Sequence, residues 1–303
     1  MEKVIAHAPA KINLVLEVEA LRAQEEKHRL NSIFCTTTLF DTVVFEFISG
    51  KEPFNAQVTF ESVDFDTSFI NHSNNTLIKT VEHFKREYGF GFLPTGTLKA
   101  EIIKSIPSQA GLGGGSSDAA AMLRMLCWLA QVEPLSERSL LVAKQTGADV
   151  PFFLYATKAG FCAHMGGYGD DLVQALVQPH LHIALVKPDS GVSTKRAFAA
   201  FDREERAADN SGATVKLAQT LSEQGSLDKI ATLCSNNLEA VAAQLLPAIA
   251  SIKEELESFP GVLNATMTGS GSALFALCEN SEVSQACMKH FSDQGLWSVA
   301  LVT

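Results

Sequence analysis

A glycine-rich loop precedes a predicted helix in the segment PSQAGLGGGSSDAAA, residues 107–121. Glycine adopts positive φ at little cost, and because it lacks a Cβ its backbone N–H groups can approach an oxyanion closely. The following run, SSDAAAMLRMLCWLAQ, predicts a helix that begins near Ser116 and adds its positive end to the same place. The loop is therefore predicted to hold phosphate groups. Positive φ is expected to be accessible at Gly111, Gly113, Gly114 and Gly115.

Three types of phosphate loop and a flexible linker compete as interpretations of this segment. A Walker A loop needs GxxxxGK[ST], and GK followed by Ser or Thr occurs nowhere in the chain. A Rossmann fingerprint needs a third glycine where Ser116 stands, and no acidic residue ends a clear second strand. A flexible linker rarely joins a strand to an Ala- and Leu-rich helix. We therefore favour a glycine loop that wraps a polyphosphate and leads directly into a helix.

The elements that must position this loop predict an α+β fold. KINLVLEVEA alternates apolar and polar residues, and GTLKAEIIKSIP before the loop also predicts a strand. NTLIKTVEHFKREYG has apolar residues at helical spacing and ends at Gly89, a predicted C-cap. GVLNATMTGSGSALFALCE predicts a strand, a glycine turn and a second strand. Strands and helices mix without a repeated βαβ order, which indicates α+β lobes. The chain length and a change of pattern around Thr157 to Gly160 predict two lobes, residues 1–158 and 159–303.

The composition restricts the classes of partner and the cellular location. A formal net charge of -10 argues against nonspecific binding to nucleic acid or to an anionic membrane. The chain has no long apolar run and no signal-peptide core at its N-terminus, so we expect a cytoplasmic protein. The 6 cysteines are scattered without a CxxC pair and are predicted to be reduced and buried. The histidines show no metal-binding spacing, which argues against a zinc site.

Four motifs together resemble the GHMP kinase superfamily: APAKINLVLEV (8–18), IPSQAGLGGGSSDAAA (106–121), TGADVPFFL (146–154) and MTGSGSALFAL (267–277). The resemblance implies a two-lobed GHMP kinase fold, with an N-terminal lobe like domain 2 of ribosomal protein S5 and a ferredoxin-like α/β C-terminal lobe. It also implies a small-molecule kinase that uses ATP and Mg²⁺. The extra glycine is typical of the branch whose acceptor is 4-diphosphocytidyl-2-C-methyl-D-erythritol, an intermediate of the non-mevalonate isoprenoid pathway.

The resemblance also implies the chemical roles. Asp149 would be the general base for the acceptor hydroxyl, and Lys11 would stabilise this carboxylate and the transferred charge. The hydroxyl of Ser117 would reach Mg²⁺ or phosphate, and Ser116 is alternatively a helix N-cap. Lys104 and Pro107 are expected near the nucleotide, although a solvated lysine at a strand end is a competing interpretation. The ATP phosphates would be held by Gly111, Leu112, Gly113, Gly114, Gly115, Ser116 and Ser117.

One segment departs from the family pattern. The family usually has DGYH after the first strand, whereas this chain has EEKH, so that Lys27 replaces a stacking tyrosine. Two further interpretations of the function therefore stay open: a GHMP kinase that acts on a different small alcohol, and a non-catalytic nucleotide-binding protein. The substrate is a small molecule, and the expected assembly is a monomer or a homodimer. The substrate-binding residues expected from the resemblance are Asn13, His28, Thr194, Phe198, Gly269, Ser270 and Gly271.

Overall fold

The computed structural model describes residues 3–22, 24–62, 75–156, 160–203 and 212–303. Its strands are β1 (Val4–Val18), β2 (Leu30–Ser49), β3 (Asn55–Ser62), β4 (Gly96–Lys104), β5 (Cys162–Gly166), β6 (Asp171–Leu176), β7 (His182–Lys187), β8 (Ser235–Asn236), β9 (Val262–Met267), β10 (Leu274–Cys278) and β11 (Trp297–Val302). Its helices are α1 (Thr76–Tyr88), α2 (Gly114–Ala130), α3 (Glu137–Thr146), α4 (Val150–Tyr155), α5 (Thr194–Phe201), α6 (Ala213–Ser222), α7 (Leu227–Leu233), α8 (Glu239–Leu245), α9 (Ala248–Ser258) and α10 (Ser281–Asp293). None of the described helices is both long and apolar enough to cross a membrane.

Helix α1 shows how local sequence determines both ends of an element. The side chain of Asn75 accepts hydrogen bonds from the backbone N–H groups of Leu77 and Ile78, which would otherwise lack partners. At the other end Gly89 has a φ of 91°, and its N–H donates to the carbonyl of Lys85. The predicted C-cap is therefore confirmed. The predicted strands before the glycine loop and around the C-terminal glycine turn are β4, β9 and β10.

The chain divides into two compact units, of which the first comprises Met1–Ala10, Leu39–Pro107 and Gly113–Lys158. Within it, β3 pairs in parallel with β4, and β4 pairs antiparallel with the second half of β2. Helix α1 packs against α2 and α3, and α2 also packs against α4. The apolar residues of α2 from Ala119 to Cys127 are buried, whereas Trp128 near its end is 66% exposed, so the part of the helix nearest the glycine loop is packed in the core of this unit.

The second unit comprises Lys11–Thr38, Ser108–Leu112 and Ala159–Thr303. It contains an antiparallel sheet in the order β11-β7-β10-β9, whose core includes side chains of α5, α8, α9 and α10. In the same unit β5 pairs with the first half of β2 and with β6, and β1 pairs in parallel with β8. The predicted lobe boundary between residues 158 and 159 falls outside the described residues, and the division there stays a prediction.

Between Ala8 and Val18, strand β1 is buried on both faces, although its sequence alternates. Leu16 and Val18 lie in the apolar core of the second unit. The polar side chain of Glu17 is buried as well, because its carboxylate accepts the backbone N–H groups of Ala213 and Thr214 at the start of α6. The alternation therefore separates an apolar face from a hydrogen-bonded polar face, and neither face is exposed to solvent.

Candidate active site

Helix α2 begins two residues earlier than the sequence predicted. Gly113 adopts a left-handed φ of 71° and precedes the first helical residue, Gly114. Ser116 therefore lies inside the first turn and is not the N-cap, which corrects that alternative. Of the four glycines, Gly111 and Gly113 have positive φ, whereas Gly114 and Gly115 are helical. The left-handed residue turns the chain sharply from the loop into the helix axis, and a side chain at this position would be strained.

The first turn of α2 leaves two backbone amides available for a ligand. The N–H groups of Ser116 and Ser117 donate to the carbonyl of Gly113, at 3.0 and 2.9 Å. No acceptor among the described residues is bonded to the N–H groups of Gly114 or Gly115. These two amides also lie at the positive end of the helix dipole, so they are suited to bind an anionic oxygen.

A buried ion cluster lies behind this helix start in the first unit. The ammonium of Lys104 contacts carboxylate oxygens of Asp41 and Asp118, at 2.8 Å in the case of Asp118. The other oxygen of Asp41 accepts the backbone N–H groups of Ser105 and Ile106, the residues that follow β4. Lys104 is therefore buried between two carboxylates, and the interpretation of a solvated strand-end lysine is wrong. The ion pair of Lys104 with Asp118 thus links the end of β4 to α2.

Burial and charge act against each other in this cluster. Burial raises the pKa of Asp118 to about 7, although the ammonium of Lys104 opposes the rise. Burial would lower the pKa of Lys104, but the charges of Asp118 and Asp41 more than offset it, so the net pKa is raised. Because α2 begins at Gly114, Asp118 lies beyond the first turn of the helix. Its carboxylate stabilises the Lys104 ammonium and does not cap the helix.

Two neighbouring side-chain oxygens on α2 lack a hydrogen-bond partner. In the described part of the chain, the hydroxyl of Ser117 and the Oδ1 atom of Asp118 are buried and make no hydrogen bond. Each residue is only 1% exposed, so water does not readily satisfy these atoms. Hydroxyl and carboxylate oxygens are the ligands that Mg²⁺ prefers, and the ion usually binds one or two of them together with substrate phosphates. Each of these two oxygens is thus of a chemical type that can serve as a Mg²⁺ ligand.

In the second unit, the first part of the glycine loop is joined to the C-terminal glycine turn. The backbone N–H of Ser272 donates to Gln109, and that of Ala273 donates to Ala110, both at 3.2 Å. A Cβ added to Gly111 would overlap the carbonyl oxygen of Thr268. Glycine is thus required at position 111 because two backbone segments approach each other there, in addition to its positive φ.

The predicted catalytic lysine lies on β1 beside a predicted substrate residue. The ammonium of Lys11 donates to Oδ1 of Asn13 at 2.5 Å and lies 4.6 Å from the ring centre of Phe34. Both polar residues are nearly inaccessible, at 3% and 1% exposure. They are two residues apart on one face of the strand. Asn13 also donates from its backbone to the hydroxyl of Thr268 at 3.0 Å, so β1 is linked to the glycine turn.

The predicted base, Asp149, lies in the first unit immediately before α4. The backbone N–H of Val150 donates to Gly147, and Pro151 occupies the first turn of the helix. The preceding glycine ends α3, so the chain reverses within the segment TGADVP. Asp149 is half-buried and keeps part of its surface accessible. Asp149 therefore lies in the short connection between the end of α3 and the start of α4, and these two helix ends determine its position.

The predicted acceptor residues form a second cluster in the second unit. The ring of His28 lies 5.1 Å from that of Phe198 and 5.8 Å from that of Phe201. Its Nδ1 atom is 2.8 Å from the carbonyl of Glu19, and its Nε2 atom is 3.0 Å from a carboxylate oxygen of Asp202. Both ring nitrogens of His28 therefore lie within hydrogen-bond distance of a protein oxygen.

Two other predicted acceptor residues also meet. The hydroxyls of Thr194 and Ser270 are 2.8 Å apart, which brings the start of α5 to the glycine turn. Lys27, which replaces the family's tyrosine, is exposed. The sequence did not single out Asp41, Asp202 or Thr268. Of these three residues, only Thr268 could have been noticed from the sequence, because it lies inside the TGSGSA turn.

Comparison with known proteins gives a consistent family. Residues 75–157 match the GHMP kinases N terminal domain, and residues 217–293 match the GHMP kinases C terminal domain. A Desulfitobacterium hafniense protein named 4-diphosphocytidyl-2-C-methyl-D-erythritol kinase is 34% identical over 278 residues, 91% of this chain and 87% of that protein. An Enterococcus faecalis protein of the same name is 32% identical over 285 residues, 93% of each chain.

Solved structures agree over the whole length. A crystal structure of 4-(cytidine 5'-diphospho)-2C-methyl-D-erythritol kinase matches with a TM-score of 0.74 and 26% identity, covering 99% of this chain and 98% of that chain. A homoserine kinase from Cytophaga hutchinsonii, at 18% identity and a TM-score of 0.72 over 100% and 95% of the two chains, shares the fold. The α+β kinase fold expected from the motifs is confirmed. This chain belongs to the GHMP kinase family, whose members are ATP-dependent phosphotransferases that act on small molecules.

Proposed function

We propose that the chain transfers the γ-phosphoryl group of ATP to a hydroxyl group of 4-diphosphocytidyl-2-C-methyl-D-erythritol. The observation that carries the proposal is the identity of 34% and 32%, over about nine-tenths of the chain, to two proteins named for that reaction. A kinase of this pathway would act in the cytoplasm on a soluble substrate. The acidic chain would carry out this reaction as a monomer or a homodimer.

In the proposed mechanism, this chain's residues move one proton and stabilise the transferred charge. The acceptor hydroxyl attacks the γ-phosphorus, its proton passes to the carboxylate of Asp149, and the bond from phosphorus to the ADP oxygen breaks. The ammonium of Lys11 stabilises the charge on the moving phosphoryl group. Its hydrogen bond to Asn13 and its burial hold it in one orientation. A charge in a nearly dry site acts more strongly than it would in water.

The phosphates of ATP are held by the glycine loop and the start of α2. The free amides of Gly114 and Gly115 point outward from the first turn and donate to phosphate oxygens. Ser117 and Asp118 carry the unpartnered oxygens of a type that can serve as Mg²⁺ ligands. A bound magnesium ion would neutralise charge on the phosphates during transfer. Lys104 supports this segment through Asp118 and makes no direct contact that the proposal requires.

The cytosine end of the acceptor is recognised by Phe198 and His28. An aromatic ring stacks on a base regardless of its identity. The imidazole of His28, whose two nitrogens are engaged by Glu19 and Asp202, packs against the Phe198 ring and holds it in place for the base. The exposed Lys27 offers a cation where the family has a ring. The proposal therefore relies on one stacking face, which favours weaker binding of the base than two faces would give.

Acceptor preference tests this proposal directly. ADP formation is measured with purified protein, ATP, Mg²⁺ and each of three acceptors: the cytidyl substrate, mevalonate and homoserine. We expect turnover with the cytidyl substrate only. Turnover of another alcohol without turnover of the cytidyl substrate would refute the proposal and favour a kinase of different specificity. Asp149→Asn is expected to abolish transfer while ATP still binds, and normal turnover of this variant would exclude Asp149 as the base.

A further inference from the structure

Asn236 is a buried amide that the family comparison does not assign to any role. It ends β8, where it is the parallel pairing partner of Leu16 on β1, and it is 9% exposed. Its Nδ2 atom donates to the carbonyl of Met267 at 2.7 Å and to the carbonyl of Gly269 at 2.8 Å. Its Oδ1 atom accepts the backbone N–H of Leu238 at 2.9 Å. Both amide hydrogens are therefore used, and the amide orientation is determined by its partners.

The two carbonyls held by Asn236 lie on either side of Thr268. The hydroxyl of Thr268 accepts the backbone N–H of Asn13 and lies 3.3 Å from Oδ1 of the same side chain. That Oδ1 atom also accepts the ammonium of Lys11. On its other side, the carbonyl of Thr268 is in close contact with Gly111. One peptide segment thus touches both the predicted catalytic strand and the glycine loop.

A second side chain fixes the segment just before this point. The Oε2 atom of Glu239 accepts the hydroxyl of Thr266 at 2.9 Å and the backbone N–H of Met267 at 2.8 Å. The start of the turn is therefore held without Asn236. Beyond Met267, the amide of Asn236 is the side chain that binds the two carbonyls on either side of Thr268. Its loss would release the turn itself while β9 stays in place.

We propose that Asn236 is a positioning residue for phosphoryl transfer, which sets the place of Thr268 and through it the ammonium of Lys11 and the glycine loop. The kinetic test of this inference rests on the proposed function, because it measures phosphoryl transfer to the acceptor. Aspartate has the same shape as asparagine but carries no N–H donor. Asn236→Asp therefore directs a carboxylate at two carbonyl oxygens and replaces two attractions with repulsions.

The neighbouring residue provides a matched control. The side chain of Asn237 also binds backbone on both of its atoms: it accepts the N–H of Val18 at 3.0 Å and donates to the carbonyl of Val18 at 2.9 Å. These contacts hold the far end of β1 and do not involve the glycine turn. Asn237→Asp therefore perturbs a half-buried amide that also binds backbone in the same segment of chain, and any common effect of the substitution on folding appears in both variants.

The experiment compares kcat and KM of the two variants with those of the unmodified chain. For Asn236→Asp we expect kcat to fall about 10- to 100-fold, because a displacement of about 1 Å at the reacting groups costs that much. The KM for ATP should change less than about threefold, since the amides of Gly114 and Gly115 at the start of α2 lie outside the turn that Asn236 holds. Asn237→Asp should retain kcat within about threefold. Equal kcat values for the two variants would overturn the proposal, as would a loss confined to KM.

Amide hydrogen exchange gives a readout that does not depend on the substrate. Asn236→Asp should accelerate exchange in residues 268–273, and Asn237→Asp should not. If Asn236→Asp does not fold, Asn236→Ala replaces it, with the same expectations for kcat and for exchange. Unchanged exchange in 268–273 would overturn the positioning role. If the unmodified chain phosphorylates none of the acceptors while exchange responds as expected, the proposed function has failed and the role of Asn236 in holding the turn stands.

Discussion

Gly111→Ala is the substitution whose effect follows most directly from the geometry. Gly111 has a φ of 76°, and a Cβ there would overlap the carbonyl oxygen of Thr268 and lie 3.0 Å from its carbonyl carbon. Alanine in the left-handed region costs about 1–2 kcal/mol. Relief of the overlap needs a movement of about 1 Å, because carbon atoms pack at roughly 3.5–4 Å. That movement breaks the bonds from Ser272 and Ala273 to the loop, each worth about 0.5–1.5 kcal/mol.

The free energy of unfolding should therefore fall by about 2–5 kcal/mol in Gly111→Ala. Gly89 provides the control, because it has a φ of 91° and nothing within 4 Å of its missing Cβ. Gly89 has a ψ of 155°, in a backbone region that essentially only glycine occupies, so Gly89→Ala should cost the backbone strain alone, about 1–3 kcal/mol. Urea unfolding at constant pH measures both values. Turnover should fall about 100-fold in Gly111→Ala, from the displacement of the loop, and remain within about twofold in Gly89→Ala.

The comparison of these two variants separates backbone strain from the close contact. If Gly111→Ala and Gly89→Ala lose the same stability, the approach of the loop to Thr268 is not tight, and the reasoning is refuted. If Gly111→Ala loses stability but keeps full turnover, the loop position does not matter for phosphoryl transfer.

Three further predictions concern individual side chains. Burial raises the pKa of Asp118 from 3.8 to about 7, so between these pH values the native chain binds more protons than the unfolded chain and loses stability as the pH rises. Urea unfolding should therefore give a smaller free energy of unfolding at pH 8 than at pH 5. The difference between the two pH values should be smaller in Asp118→Asn. Phe198→Leu should raise the KM for the cytidyl substrate about 5- to 150-fold and leave the KM for ATP unchanged. If the variant and the unmodified chain have the same KM for the cytidyl substrate, the base does not stack on this ring. Asp202→Ala should raise the same KM about 2- to 5-fold, because its half-exposed carboxylate holds His28 only weakly; an unchanged value would separate Asp202 from substrate binding.

Local rules predicted much of the fold. The C-cap at Gly89, the strands around the C-terminal glycine turn and the helix after the glycine loop follow from residue type and spacing over a few positions. The start of α2 was placed two residues late, because serine is a better N-cap than glycine in isolation. In the folded chain Gly113 adopts a left-handed conformation that the sequence pattern does not specify.

The environment of charged side chains could not be predicted locally. Lys104 is 63 residues from Asp41, and no motif or periodic pattern in the sequence pairs them. His28 was expected to bind the substrate, but its pairing with Asp202, at the end of α5, depends on tertiary structure. Such contacts join residues whose separation along the chain carries no periodic signal, so hydrophobic patterns and motifs do not reveal them.

The sequence by itself determined a glycine loop that leads into a helix and several of the strands and helices around it, because these depend on glycine, turn formers and apolar spacing within short segments. The family came from the resemblance of four motifs. The tertiary structure alone decided which backbone segments meet. Gly111 and Thr268 are in close contact although 157 residues separate them. Asn236 binds the same turn from β8. The physical reason is that hydrogen bonds and close packing act over a few ångströms in space, and chain separation places no limit on which residues they join.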